Sequence, residues 1–264
     1  MPESLSFPIQ EPLAVKVVGR YREELLPLLA PYPVRVLAPE DPATPALVIS
    51  YGGDGTLLGA ERDFPGIPKF PLRDRSHNPR CPLHGEALCL EHFFHGDFAP
   101  ARFSKLRARS EQGEELVALN DLVIARHLHP LGAIRVRLWQ DGAVLFPQVI
   151  ADAVVIATVY GATGYFQSIT RGTFQRGIGV AFSNAVEGEC FRVIAPESRL
   201  EVELLRGPAI VQAGNNPEGL ALPEGQRLLV LPDPQQATIY GLEAFRCRQC
   251  HRLRQDGQGV QPIL

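Results

Sequence analysis

Apolar residues arrive in short runs over the first hundred positions, each followed by helical spacing or by a turn. "AVKVVGR" (14–20) is apolar and β-branched, as a buried strand is. "YREELLPLLAPY" (21–32) has helical spacing that its prolines close. "VRVLA" (34–38), "ALVISY" (46–51) and "IPKF" (67–70) read as further buried strands. "GEALCLEHFFHG" (85–96) reads as a helix stopped by its last glycine. Strand, helix, strand, strand, glycine turn and helix is the order that builds an open parallel sheet.

Past residue 100 the pattern changes. "ARFSKLRARS" (101–110) and "ELVALNDLVIARH" (115–127) look β-like, and "IRVRLWQDGAVLFPQVI" (134–150) alternates around an Asp141-Gly142 hairpin turn. "ADAVVIAT", "GIGVAFS", "CFRVIAP", "RLEVELL", "AIVQAG" and "LLVLP" follow as short strands between Gly, Pro and Asn. The expectation is an α/β domain over residues 1–100 and a larger β-rich, β-sandwich-like domain over 101–240.

Composition narrows the field. The chain has 264 residues, 45% hydrophobic and 21% charged, with a formal net charge of −3. That balance suits a globular protein and not a binder of nucleic acid or membrane surfaces. No apolar run reaches the length of a membrane span, and "MPESLSFPIQEP" lacks a signal peptide's basic and apolar regions, so the expected location is cytoplasmic. Five cysteines, an odd number, argue against a disulfide framework. Cys247 and Cys250 of "CRQC", with Cys81 and His84 of "CPLH", have the spacing of two halves of a zinc site, and suit unpaired reduced thiols as well.

"YGGDGTLLGA" (51–60) carries the chemistry. Glycines at the C-terminal end of a strand let backbone N–H groups approach an anion, and the helix that follows adds partial positive charge. Asp54 inside such a loop is repelled by phosphates unless it places a metal ion or takes a proton from an attacking hydroxyl. Thr56 suits a helix cap or a phosphate oxygen. A plain turn fits the same letters.

Two more stretches weigh against the plain turn. "GGDGT" resembles the phosphate-binding signature of NAD kinases, lipid kinases and phosphofructokinases. "ALNDLVIAR" (118–126) resembles the Asn-acid motif of the ATP-NAD kinase family, and "ADAVVIATVYGATGYFQS" (151–168) its third signature. Motif order, spacing and change of domain agree with that family over roughly residues 14–240. The resemblance implies that residues 241–264 return to the first domain. It also implies ATP- and Mg²⁺-dependent phosphoryl transfer to the 2′-hydroxyl of NAD, with polyphosphate as another possible donor. Carried over, Asp54 is the base or metal-orienting group, and Gly52, Gly53, Gly55 and Thr56 cradle phosphate. Asn120 and Asp121 bond the nucleotide, and Asp152, Thr163, Tyr165 and Ser168 line the adenine and ribose pocket. The family habit is a homodimer or homotetramer. By themselves, Asn120 and Asp121 also suit a cap or turn, Asp152 a strand end, Tyr165 a core ring, and Thr163 and Ser168 a helix start.

The chain departs from the family pattern as well. Val159 and Tyr160 stand where the family has Pro and a small hydroxyl residue, and Tyr160 is expected to reshape the nucleotide pocket. Arg171 is a new cation suited to phosphate. A glycine loop after the fourth strand is replaced by "PLRDRSHNPRCPLHG" (71–85), with Arg73, Arg75 and Arg80. These changes leave open another hydroxyl acceptor, or a non-catalytic dinucleotide-binding or regulatory protein.

Overall fold

A computed structural model describes residues 12–74, 76–77, 85–127, 132–186 and 188–247. In order, the first elements are β1 (Leu13–Val18), α1 (Arg22–Leu29), β2 (Val34–Val36), β3 (Leu47–Tyr51), α2 (Asp54–Asp63), β4 (Lys69–Leu72), α3 (Glu86–His95) and β5 (Pro100–Phe103). The β-rich stretch follows with β6 (Leu106–Ser110), β7 (Glu115–Ala118), β8 (Asp121–Arg126), β9 (Ile134–Gln140), β10 (Ala143–Ala151) and β11 (Ala153–Ala157). After a 3-10 turn at Tyr160–Thr163 come α4 (Tyr165–Thr170), β12 (Ile178–Ser183), β13 (Phe191–Ile194), β14 (Leu200–Arg206) and β15 (Ala209–Ala213). The last elements are β16 (Leu220–Leu222), β17 (Arg227–Pro232), β18 (Ala237–Tyr240) and α5 (Leu242–Phe245).

The chain divides into two compact units, one of residues 1–102 and 237–264, the other of 103–236. In the first, the described strands form one sheet in the order β2-β1-β3-β4-β18-β5, with parallel pairing from β2 through β18. All five residues of β3 are buried, as a parallel strand covered on both faces requires. Val15, Val17, Ile49, Tyr51, Phe70 and Leu72 pack with Leu25 and Leu29 of α1 and with Leu90 and Phe93 of α3.

In the second unit the described strands form two antiparallel six-stranded sheets, β10-β9-β14-β17-β6-β7 and β13-β12-β11-β8-β15-β16. Alternate residues of both sheets meet in one core, with Val136, Leu138, Val202 and Val230 from one and Leu122, Ile124, Val154 and Val211 from the other. Each such side chain, fully buried, stabilises by roughly 1.5–3 kcal/mol. The Asp141-Gly142 turn has both residues at positive φ, 50° and 84°, as a tight right-twisting hairpin needs.

Two local readings change. "ARFSKLRARS" is not one strand. β5 lies at the edge of the first sheet, while β6 begins the sandwich. β18 joins the first sheet beside β4, so the return of the chain begins at Ala237, ahead of residue 241.

Candidate functional site

The glycine turn lies where β3 ends. Gly52 donates its N–H to the Leu72 carbonyl at 2.8 Å, which ties the turn to the end of β4. Its φ is +153°, and a Cβ there would stand 2.4 Å from Thr56 Oγ1, so only glycine fits. The turn therefore folds tightly over Thr56, and Asp54 becomes the first residue of α2. Gly53 precedes it with no side chain to cap the helix, and its carbonyl accepts the Thr56 N–H at 3.1 Å.

Two arginines meet Asp54. Arg73 Nη2 donates to Oδ2 at 2.9 Å, and Arg246 Nε and Nη2 donate to Oδ1 at 3.0 and 2.9 Å. The Arg73 side chain is only 4% exposed, while that of Asp54 is 42% and that of Arg246 28%. Phe245 holds Arg73 from behind, its ring 3.8 Å from the guanidinium carbon and its carbonyl 3.4 Å from Nε. Burial works to raise the Asp54 pKa, but the charges and hydrogen bonds of Arg73 and Arg246 outweigh it and hold the carboxyl below its ordinary value. Clamped this way, Asp54 is an anion at neutral pH and a weak base.

Among the described residues, no three His, Cys, Asp or Glu side chains group as a metal site. A cation that arrives on phosphates needs only one or two carboxylates, and the half-buried Asp54 is one such carboxylate. Of the proposed zinc ligands only Cys247 is described, just past α5. Cys81, His84 and Cys250 lie outside the described residues, as do Arg75 and Arg80.

In the β-rich unit, Asn120 and Asp121 stand at the start of β8, beside the end of β11. Thr158 fixes them there. Its N–H donates to the Asn120 carbonyl at 2.8 Å and its hydroxyl to the Leu119 carbonyl at 2.6 Å, while it accepts the Gly161 N–H at 3.1 Å. Asp121 is 5% exposed and accepts from Asn120 Nδ2 at 3.2 Å. Asn120 Oδ1 is buried and finds no hydrogen-bond partner among the described residues. Two buried acceptors side by side suit a ligand that brings hydroxyl or amine donors.

Burial pushes the Asp121 pKa up, from 3.8 to about 6. The folded chain thus keeps a proton that the unfolded chain loses, and stability falls as pH rises from roughly 4 to roughly 6. The charged side chain then costs up to about 3 kcal/mol above that window. Asp121→Asn is expected to unfold later than the wild type at pH 8 and level with it at pH 4. Trp139, the single tryptophan, sits on β9 of this unit and reports its unfolding by fluorescence. Equal midpoints at pH 8 would show that the buried charge is already compensated.

The remaining expected residues scatter. Thr163 and Gly164 are exposed at the end of the 3-10 turn, and the Asp121 carboxylate lies beside Gly164. Tyr165 is 39% exposed, so it is not a core ring, and the exposed Ser168 donates its hydroxyl to the Tyr165 carbonyl at 2.7 Å. Arg171 is exposed in a left-handed conformation that ends α4. Asp152 lies apart from the others in this chain. It lies at the opposite end of β11, where Ala153 pairs with Ala125 while Ala157 pairs with Asp121. Five residues of strand separate it from that end, about 17 Å, and it accepts from Asn184 Nδ2 at 2.7 Å. Tyr160 is 2% exposed and packs edge-on to Phe103, ring centroids 5.3 Å apart. The sequence reading missed Arg246 altogether.

No protein-family model matches the chain. Over 130 residues it is 32% identical to the NAD kinase of Bordetella pertussis, an alignment covering 46% of this chain and 43% of that one. The chain therefore spans somewhat less than half the length of the curated relatives it matches. In structure it is similar to an NAD kinase from Archaeoglobus fulgidus in complex with ATP, with a TM-score of 0.70 and 19% identity over 94% of this chain and 99% of that one. It is also similar to yeast NADH kinase complexed with NADH, with a TM-score of 0.72 and 16% identity over 97% and 91%. The chain has the fold of these kinases, and the resemblance carried by its motifs is met in both sequence and fold.

Proposed function

We propose that this chain is an ATP-dependent phosphotransferase of NAD kinase type, which moves the γ-phosphoryl group to the 2′-hydroxyl of NAD and yields NADP. The observation that carries the reading is one ionised carboxylate, Asp54, at the start of α2 just after the glycine turn and flanked by two guanidiniums. Phosphoryl transfer asks for positioning and charge neutralisation more than for covalent help, and this set offers both. Backbone N–H groups at Gly53 and Asp54, together with the arginines, meet phosphate oxygens. Asp54 orients the attacking hydroxyl and takes its proton as ADP leaves. Mg²⁺ arriving with the donor would be held by Asp54 and would neutralise charge on the phosphates.

In the β-rich unit, Asn120 and Asp121 would bond the nucleoside hydroxyls or amine groups. Thr163, Tyr165 and Arg171 are exposed and belong to the proposed set. Asp152 and Ser168, each with one local hydrogen bond in this chain, stay in it as the proposed adenine and ribose contacts. A cytoplasmic homo-oligomer is part of the same proposal.

The test is purified chain with ATP, Mg²⁺ and either NAD or NADH, assayed for the 2′-phosphorylated product by an NADP-dependent dehydrogenase. Product from NAD is expected. A folded chain that hydrolyses or binds ATP yet yields no phosphorylated dinucleotide would overturn the reading.

A further inference from the structure

We propose that the loop after β1, Gly19 to Tyr21, joins His77 to form the nucleoside half of the donor site. Arg20 meets donor phosphate there, and the Tyr21–His77 stack carries the base. The inference rests on the kinase reading and adds residues that the glycine-turn motif does not contain. It starts from the order β2-β1-β3-β4 of the parallel sheet, in which the chain leaves β1 to one side and β3 to the other. Right-handed crossovers then carry α1 and α2 to opposite faces. Accordingly, α1 packs on Val15, Val17, Ile49 and Tyr51, in a cluster to which no residue of α2 belongs. Helices that part in this way leave a crevice beyond the C-terminal ends of β1 and β3, where open α/β sheets bind ligands. The glycine turn is one wall of that crevice, and the loop after β1 is the other.

The two walls touch. Gly19 has a φ of +135°, and a Cβ there would stand 2.0 Å from the Tyr51 carbonyl oxygen and 3.5 Å from Thr56 Cγ2. Only glycine lets the loop lie against the turn. Arg20 follows at once and is exposed. Its guanidinium carbon stands 5.4 Å from the centre of the Tyr21 ring, and among the described residues it makes no hydrogen bond or ion pair, so its donors are open to phosphate. Tyr21 lies flat on the exposed His77, ring centroids 3.4 Å apart and planes within 3°. His77 comes from the loop after β4 and donates its N–H to the Asp74 carbonyl at 3.2 Å. β1 and β4 flank β3, about 10 Å apart at the usual strand spacing, so the stack bridges the two sides of the strand that ends in the glycine turn. From Gly19 to Tyr21 the chain covers at most about 7 Å, the scale that separates a nucleotide's phosphates from its base. His77, exposed outside the stack, can take one more ring on it, and a purine supplies that ring.

Two ligands separate base from phosphate. ATP and inorganic tripolyphosphate are each titrated into the 264-residue chain by calorimetry, with EDTA and without NAD. His77→Ala is expected to weaken ATP about tenfold, the size of one lost base stack, and to leave tripolyphosphate within about twofold. His77→Phe keeps a ring face and should hold ATP within about threefold of wild type. Arg20→Ala should weaken both ligands about tenfold, since a charge-assisted bond to phosphate is common to them. Both side chains are exposed, so the variants should keep the wild-type melting temperature. An ATP affinity unmoved by His77→Ala, or a loss shared equally by tripolyphosphate, would overturn the base site. A tripolyphosphate affinity unmoved by Arg20→Ala would overturn the phosphate contact. NADP formation reads independently. A chain that passes these titrations and makes no NADP keeps the donor site and loses the acceptor, while one that makes NADP but fails them loses only this site.

Discussion

Asp54→Asn lowers kcat for NADP formation by about 10²–10⁴-fold, the range for removing a positioned acid–base group. The substitution keeps the size of the side chain and one acceptor oxygen, so the turn and α2 can form as before. What it removes is the negative charge that both arginines meet and the oxygen that would receive the hydroxyl proton or hold Mg²⁺. The loss should fall on kcat and leave the KM for NAD within a few-fold, because Asp54 stands in the glycine turn proposed to hold phosphate, whereas the proposed nucleoside contacts come from the β-rich unit. Steady-state kinetics beside a melting curve separate chemistry from folding. A variant that keeps its melting temperature and at least a fifth of wild-type kcat would rule out the role given to Asp54.

Gly161→Ala destabilises the β-rich unit by about 4 kcal/mol, at the upper end for a single substitution. A Cβ at Gly161 would stand 2.1 Å from the Asn120 carbonyl oxygen and 2.5 Å from its carbon. Neither side can yield cheaply. Thr158 bonds the Asn120 and Leu119 carbonyls and accepts the Gly161 N–H, so a shift of either segment breaks buried hydrogen bonds. Each broken one costs about 1–3 kcal/mol when a buried group is left unsatisfied. The same shift would move Asn120 and Asp121, so nucleotide affinity should fall with stability. Urea unfolding followed by Trp139 fluorescence reads this unit, and an unchanged midpoint would mean that the close approach at Gly161 is not there.

Much of this molecule could be read before its structure was known, for reasons that are local. Apolar runs gave β1, β3 and β11 within a residue or two, because a strand buried on both faces needs continuous apolar letters. "GEALCLEHFFHG" gave α3, and Asp141-Gly142 gave its hairpin, because helical spacing and turn chemistry are written in adjacent residues. The position of the glycine turn at the end of β3 followed from the same logic.

Long-range geometry could not be read that way. Arg246 reaches Asp54 across 192 residues, and an ion pair has no period in sequence. β18 slips in beside β4 late in the chain, a pairing that β-propensity alone does not announce. Tyr160 gave its size but not its direction, and the 3-10 turn points it at Phe103. Asp152 and Asp121 both lie next to apolar runs that become strands. Only the antiparallel register, Ala153 with Ala125 and Ala157 with Asp121, shows that they face opposite ends of the sheet. The tightness at Gly161 is likewise a meeting of two segments forty residues apart, which a glycine in a signature does not reveal.

The central claim is that a phosphoryl group travels from a triphosphate, past Asp54, to a dinucleotide hydroxyl. Its most direct test is purified chain incubated with Mg²⁺, NAD and ATP labelled on the γ-phosphate, with the label followed into the separated products. Label in a 2′-phosphorylated dinucleotide, lost in Asp54→Asn, is the predicted result. Label appearing only as free phosphate, or remaining on ATP while the dinucleotide stays unlabelled, would contradict it.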